Sequence, residues 1–393
     1  MEYIFSNKLS SLKPSAIREI LKNSGNSIAF SAGNPSPLSF PVEAIKKLSA
    51  DILENDSTLA LQYSVTEGYT PLIEDVTERL RSKFFIDTDK NSIIITSGGQ
   101  QGIELACKAL CNEGDTVICE NPSFIGALNA FRSLGANTVG VDIEEDGISP
   151  EALERAVSDN PRAKLIYLIP TFQNPGGITT SLEKRKKIYE IALRHKIMIL
   201  EDNPYGELRF SGEEIPTIKS MDTEGIVIYC SSFSKILSAG IRVGYVCAPD
   251  LVIQKMVVAK QCEDVHTNIF FQILCHRFMT EYDFDGHING IRKLYGKKCA
   301  LMLSELDRRM PKSIRYTRPE GGLFVWCTMP EGSDMISYIK AASAAGVSAV
   351  PGIAFNCDTD APSNSFRITY AAPSDEDIVR GVGILSDVAK SFI

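Results

Sequence analysis

From Ser92 to Pro249 the chain alternates short apolar, β-branched runs with helical patterns, and few folds accept that rhythm. The runs at 92–97, 116–120, 137–143, 164–169, 197–201, 225–230 and 242–248 read as strands. The stretches 100–111, 123–134, 149–158 and 181–194 between them read as helices. Strands joined through helices lie mostly parallel, and the helices cover both faces of the sheet. The pattern predicts an α/β large domain on a mostly parallel seven-stranded sheet. The strand beginning at Arg242 follows its predecessor after a connection too short for a crossover, so it is expected to run antiparallel.

Beyond Pro249 the pattern changes. Two long helical stretches, 250–279 and 284–309, precede strand-like pieces at 321–327, 347–350 and 365–370 and helices near 333–345 and 374–391. That mixture predicts a smaller α+β domain. A length of 393 residues suits one large and one smaller unit. The expected division is a turn-rich N-terminal segment, 1–41, that joins the small domain, a large domain, 42–285, and the small C-terminal domain, 286–393.

Several function classes are disfavoured at once. The net charge of −8 argues against nucleic-acid binding. The cluster Lys184–Lys187 reads as a solvated helix face. No apolar run is long enough to span a bilayer, and the first residues lack the order of a signal peptide, so a cytoplasmic location is expected. Ten scattered cysteines form no C-x-x-C pair, and the four histidines lack ligand spacing, so no metal site or disulfide framework is signalled.

Open α/β sheets bind ligands beyond the carboxyl ends of their strands, and four such ends carry chemistry. After the strand ending at Cys230 comes Ser231-Ser232-Phe233-Ser234-Lys235, with Arg242 seven residues past the lysine. A lysine amine forms Schiff bases, while serine hydroxyls and an arginine fork hold a phosphate. Pyridoxal phosphate needs both at once. The strand 197–201 runs into Glu201-Asp202-Asn203-Pro204-Tyr205, and Asp202 suits a pyridine nitrogen. The strand at 165–169 ends in Asn174-Pro175-Gly176-Gly177, where Asn174 suits a phenolic oxygen and Asn174–Pro175 is a candidate cis bond. Ser97-Gly98-Gly99-Gln100 joins a strand to a helix whose first amides suit phosphate. Each run alone has a plainer reading: a surface lysine, a turn-capping Asp, an Asn-Pro-Gly turn, a strand–helix turn.

Together these segments resemble the PLP-dependent aminotransferases of fold type I, class I/II, especially the group with 2-aminoadipate and kynurenine aminotransferases and the aminotransferase-like half of MocR-type regulators. The resemblance runs from about Ser15 to the C-terminus. Its markers fall in family order: Gly33-Asn34-Pro35, Gln62-Tyr63, Glu67-Gly68-Tyr69, Gly98-Gly99-Gln100, Asn121-Pro122-Ser123-Phe124, Asn174-Pro175, Asp202 with Tyr205, Ser232 to Lys235, Arg242 and Arg367.

The resemblance implies pyridoxal 5'-phosphate as cofactor, with Lys235 as its Schiff-base lysine and proton shuttle. It implies Asp202 on the pyridine nitrogen, and Asn174 and Tyr205 on the phenolic oxygen. Gly99, Gln100, Ser232, Ser234 and Arg242 would hold the phosphate, and Phe124 would stack on the ring. Tyr63 would reach the phosphate of the other subunit of a homodimer. Arg367 would clamp the substrate carboxylate. Arg18 is a candidate partner for an acidic side chain, and Phe355 and Asn34 are candidate pocket lining. The sequence departs from the commoner family pattern at Phe124, Gly176 and Gly99, which touches substrate preference and phosphate contacts rather than the lysine, aspartate or arginine.

The implied reaction is ping-pong amino transfer from an L-amino acid to a 2-oxo acid, 2-oxoglutarate by family likeness. Two rivals are a carbon–sulfur lyase, which would release ammonia and pyruvate, and a non-catalytic ligand sensor. The sensor reading lacks a DNA-binding segment before Ser15.

Overall fold

A computed structural model describes residues 27–393, together with Tyr3, Ser6 and Lys8. The strands in chain order are β1 (Ile28–Ala29), β2 (Asn91–Thr96), β3 (Thr116–Asn121), β4 (Asn137–Glu144), β5 (Gly147–Ile148), β6 (Ala163–Leu168) and β7 (Met198–Asp202). They continue as β8 (Val227–Ser232), β9 (Gly244–Pro249), β10 (Arg315–Tyr316), β11 (Phe324–Thr328), β12 (Val347–Ser348), β13 (Val350–Pro351) and β14 (Ser365–Thr369). The helices are α1 (Val42–Asn55), α2 (Ser57–Leu61), α3 (Thr70–Phe84), α4 (Gly99–Leu110), α5 (Ile125–Ser133) and α6 (Pro150–Asp159). After them come α7 (Leu182–His195), α8 (Asp250–Gln261), α9 (Ile269–Glu281), α10 (Phe284–Arg309), α11 (Met335–Ala344) and α12 (Asp375–Ala389).

The main sheet has the order β2-β9-β8-β7-β6-β3-β4-β5. It holds the seven expected strands plus one more, because Gly147–Ile148 folds back antiparallel on the end of β4. Two residues at a hairpin carry too little periodicity to read as a strand. β8, β7, β6, β3 and β4 pair in parallel, and β9 runs antiparallel to both β8 and β2, as its short connection requires.

Alternate residues of the central strands enter different cores. Val117, Cys119, Leu165, Tyr167 and Leu200 pack on one face, while Ile118, Ile166, Leu168 and Ile199 pack on the other. A sheet covered on both faces produces the continuous apolar runs seen in the sequence. The direction of pairing sends the carboxyl ends of β8, β7, β6 and β3 to one edge, with the β2–α4 turn beside them.

The second sheet, β10-β11-β14-β13, is antiparallel and carries Arg367 on β14 opposite Trp326 and Val350. β1 pairs in parallel with β12, and the Phe30 carbonyl accepts from the Thr369 amide at 2.9 Å. Residues 27–33 thereby run along the second sheet toward the edge of the first.

One expected helix divides. The stretch 250–279 forms α8 and α9 with a break between them, where Val265 adopts φ 63°. Asn268 then caps α9, its side chain accepting from the Phe271 amide at 3.2 Å. A β-branched residue in the left-handed region is strained, and no local pattern signals it. The helices α1, α2 and α3 lie before the strand–helix alternation and were not expected from it.

Candidate active site

At the end of β8, Ser232 and Ser234 form a compact turn. The Ser232 hydroxyl donates to Ser234 Oγ at 2.7 Å and accepts from the Ser234 amide at 3.0 Å. Arg242 adopts φ 53°, and its guanidinium donates to Ser234 Oγ (3.3 Å), the Ala239 carbonyl (3.1 Å) and the Ser97 carbonyl (3.2 Å). It passes directly beneath Gly98, where an added Cβ would stand 2.2 Å from an Arg242 nitrogen. Gly98 itself has φ 81° and precedes α4. The start of β9 is equally close, since a Cβ on Gly244 would meet backbone atoms of Gly98 and Gly99 within 2.8 Å. Two hydroxyls, a guanidinium and the amide-rich start of a helix thus converge, a donor set suited to a phosphate dianion.

Gln100, the second residue of α4, donates from its side chain to the Gly126 carbonyl at 2.9 Å. The same glycine underlies the Phe124 ring, which a Cβ there would meet at 2.5 Å. Phe124, half-buried at the start of α5, therefore lies next to the Gly99–Gln100 turn.

Asp202 ends β7 on the same face as Leu200, and Tyr167 from neighbouring β6 projects to that face too. The Tyr167 hydroxyl donates to Asp202 Oδ2 at 2.8 Å. Burial pushes the Asp202 carboxyl up to about 7, opposed by the Tyr167 hydrogen bond. Among the described residues no cationic side chain pairs with Asp202. A buried acid without a cationic partner fits a protonated ring nitrogen.

Lys235 Nζ donates to the Gly33 carbonyl at 2.9 Å. Burial, then the charges of Arg367 and Arg242, lower its amine to about 8. Of those two arginines one belongs to the phosphate-type cradle and the other to the second sheet.

Asn174, in the loop after β6, joins the halves. Its Nδ2 lies 3.5 Å from the Tyr205 hydroxyl, and its Oδ1 accepts from Arg367 Nη1 at 2.8 Å. Arg367 Nη2 donates to the Ser31 carbonyl at 2.8 Å. Its guanidinium lies 4.2 Å from the Phe324 ring centroid and 5.0 Å from that of Phe355. Burial lowers the guanidinium to about 10, so it remains cationic at neutral pH. Its Nε–H is buried with no hydrogen-bond partner. An unpartnered buried donor costs about 1–3 kcal/mol, and an incoming carboxylate would relieve it. The Asn174–Pro175 bond is cis, as is Asn121–Pro122.

Nearly all the candidate residues meet at this edge: Gly99, Gln100, Phe124, Asn174, Asp202, Tyr205, Ser232, Ser234, Lys235, Arg242 and Arg367. Two do not join them. Tyr63 is 82% exposed, its ring edge-on to His266 at 5.9 Å. Arg18 lies outside the described residues.

Sequence reasoning missed Tyr167, which sits inside an apolar run and reads as core. It also missed the carbonyls of Ser31 and Gly33, which carry no side-chain signal, and Glu120. That buried carboxyl, pushed up to about 7 by burial, accepts from the Ile169 amide at 2.9 Å and so braces the start of the Asn174 loop. Among the described residues no group of three or more His, Cys, Asp and Glu side chains is placed to hold a metal ion, and no helix is long and apolar enough to cross a membrane.

Residues 26–385 match the family described as aminotransferase class I and II. The chain is 38% identical to aromatic-amino-acid aminotransferase 1 of Thermococcus litoralis, over 99% of this chain and 94% of that protein. It is 37% identical to the 2-aminoadipate transaminase of Thermus thermophilus, over 97% of this chain and 95% of the relative. The crystal structure of Pyrococcus horikoshii kynurenine aminotransferase, in complex with PMP, superposes with a TM-score of 0.95 at 36% identity, covering 98% of this chain and 97% of that one. On this full-length match, with the lysine, aspartate and arginine gathered at one sheet edge, the chain belongs to the class I and II aminotransferases.

Proposed function

We propose that this aminotransferase moves the amino group of an L-amino acid to 2-oxoglutarate by a ping-pong route, with the roles of Lys235, Asp202 and Arg367 divided as follows. The cofactor is pyridoxal 5'-phosphate. The observation that carries the reading is the convergence, on one sheet edge, of a half-buried lysine, a buried carboxyl with no cationic partner among the described residues, and a buried arginine with an unpartnered Nε. Bound there, pyridoxal phosphate supplies an aldehyde that takes up the amino group and a protonated ring that draws electrons from the substrate α-carbon.

The protein groups do the rest. Ser232, Ser234, Arg242 and the Gly99 and Gln100 amides hold the phosphate. Asp202 keeps the proton on the ring nitrogen, and Tyr167 orients that carboxylate. Asn174 and Tyr205 address the phenolic oxygen, and Phe124 covers the ring face. Arg367 binds the substrate α-carboxylate. Lys235 Nζ would take the proton from the substrate α-carbon and return it to the carbon on the far side of the transferred nitrogen. An amine lowered to about 8 is a usable base near neutral pH. Movement of the C-terminal unit, 286–393, over the ligand would exclude water.

The exposed position of Tyr63 supports a homodimer in which Tyr63 serves the phosphate of the other subunit. Nearby Leu61 is 73% exposed and Val65 57% exposed, an apolar surface suited to burial by a second copy. A cytoplasmic location belongs to the same reading.

The deciding experiment mixes the purified holoenzyme with single L-amino acids and follows the cofactor absorbance. The panel includes aromatic amino acids, 2-aminoadipate and kynurenine. Conversion to the pyridoxamine form, reversed by 2-oxoglutarate, is the expected result. Release of ammonia and pyruvate without an acceptor would point to a lyase, and no conversion with any donor would sink the reading. In the same preparation light scattering should report a dimer; a fully active monomer would remove Tyr63 from the site.

A further inference from the structure

Arg367 is held by hydrogen bonds to Asn174 and Ser31 and packs against two aromatic rings. Phe324 on β11 is the diagonal neighbour of Arg367 across the β11–β14 pair, two residues from the directly opposite Trp326, and so shares its side of the sheet. Phe355 ends the single helical turn Gly352–Phe355 that follows β13. Both rings are buried, and their centroids stand 4.2 Å and 5.0 Å from the guanidinium carbon.

The Phe355 ring is seated from the large sheet. The Ser123 amide donates to the Phe355 carbonyl at 2.8 Å. The Cys357 amide donates to Asn121 Oδ1 at 3.1 Å. Arg132 at the end of α5 donates to the Cys357 carbonyl at 2.7 Å and to the Asn356 carbonyl at 3.2 Å. Trp326 closes the outer side, its ring edge-on to Phe355 at 5.8 Å. The backbone from the Phe355 carbonyl to Cys357 is therefore anchored to the segment that also carries Phe124.

We propose that Phe324 and Phe355 form an aromatic slot that sets the plane of the Arg367 guanidinium, with Arg132 latching the Phe355 turn in place. Phe324, Phe355 and Arg132 are thus positioning residues for carboxylate recognition. The proposal rests on Arg367 being the carboxylate clamp. A guanidinium is planar by itself, and rings packed against it restrict how that plane turns, which a bidentate carboxylate needs fixed. The slot touches the clamp and not the reacting atoms. It acts alike on every amino donor and oxo acceptor, whatever the side chain.

The test uses the holoenzyme variant Phe355→Leu and glutarate, a carboxylate that cannot react. Glutarate affinity, read by titration of the cofactor absorbance, should fall about tenfold, with KM for donor and acceptor rising alike. Turnover at saturation and cofactor content should stay within about twofold, a split that a general packing defect would not produce. Unchanged glutarate affinity and KM overturn the slot. If Phe355→Leu fails to fold, Arg132→Gln decides: an about threefold loss of glutarate affinity supports the latch, and no loss overturns it. Arg367→Lys is measured alongside. If it leaves glutarate affinity intact, the clamp assignment falls and the slot with it. If it weakens glutarate while Phe355→Leu does not, the slot alone falls.

Discussion

Replacing Lys235 by Ala should lower steady-state amino transfer by about 10⁴-fold or more, because in the proposed mechanism one side chain both joins the cofactor and moves the α-proton. No neighbour can substitute. Burial raises the Tyr205 hydroxyl well above its ordinary range, so it is a poor base near neutrality. In the proposed mechanism Asp202 is committed to the ring nitrogen. Turnover in Lys235→Ala within about a hundredfold of the parent would remove Lys235 as the base.

The same lysine makes a pH prediction for the cofactor-free protein. Its amine is lowered to about 8 in the folded chain, against about 10.4 in an unfolded one. Between those values the unfolded state binds more protons, so this group makes stability rise with pH across that window. Below about 8 both states are protonated and the lysine's destabilisation is present in full. Lys235→Met should therefore be more stable than the parent at neutral pH, with the gap closing toward pH 10. Denaturant melts at pH 7.5 and 9.5 measure this, and a gap that does not narrow contradicts the lowered amine.

Asp202→Asn should cost about 10³-fold in the rate of α-proton removal, the scale seen when a buried electrostatic partner of a developing charge is lost. The amide has nearly the shape of the carboxylate but cannot keep a proton on a ring nitrogen. Without a cationic partner burial pushes Asp202 up to about 7, so its buried charge is poorly compensated by the protein groups around it. A bound ring cation would compensate it and draw the carboxyl back down. Asp202→Asn should therefore also release the cofactor more readily on dialysis. Single-turnover absorbance measures the first effect and cofactor content the second. A variant with near-parental rates would show that the carboxylate does not tune the ring.

Much of this architecture was legible because each central strand is buried on both faces. That burial leaves unbroken runs such as Ile93–Ile95 and Leu165–Ile169, and it placed the strand ends within two residues or so of where they lie. Lys235, Asp202 and Asn174 were legible because they stand at those ends, where α/β sheets bind ligands. Arg367 was different: only the family likeness marked an arginine inside a strand as a clamp. The Val265 break between α8 and α9 left no mark, since its cause is local strain rather than a turn residue. Tyr167 also stayed hidden, because a tyrosine in an apolar strand looks like core until the adjacent strand brings Asp202 to its hydroxyl.

By itself the sequence determined the alternation, the polarity of the sheet and the residue types able to do the chemistry, because period and local chemistry are written in neighbouring residues. Only the tertiary structure decided which of them meet. Gly33 lies 202 positions from Lys235, Asn174 lies 193 from Arg367, and the Ser31 carbonyl reaches Arg367 across 336. Contacts at such separations follow from how two sheets and the N-terminal segment pack around one edge, and packing is a property of surfaces brought together rather than of any run of residues.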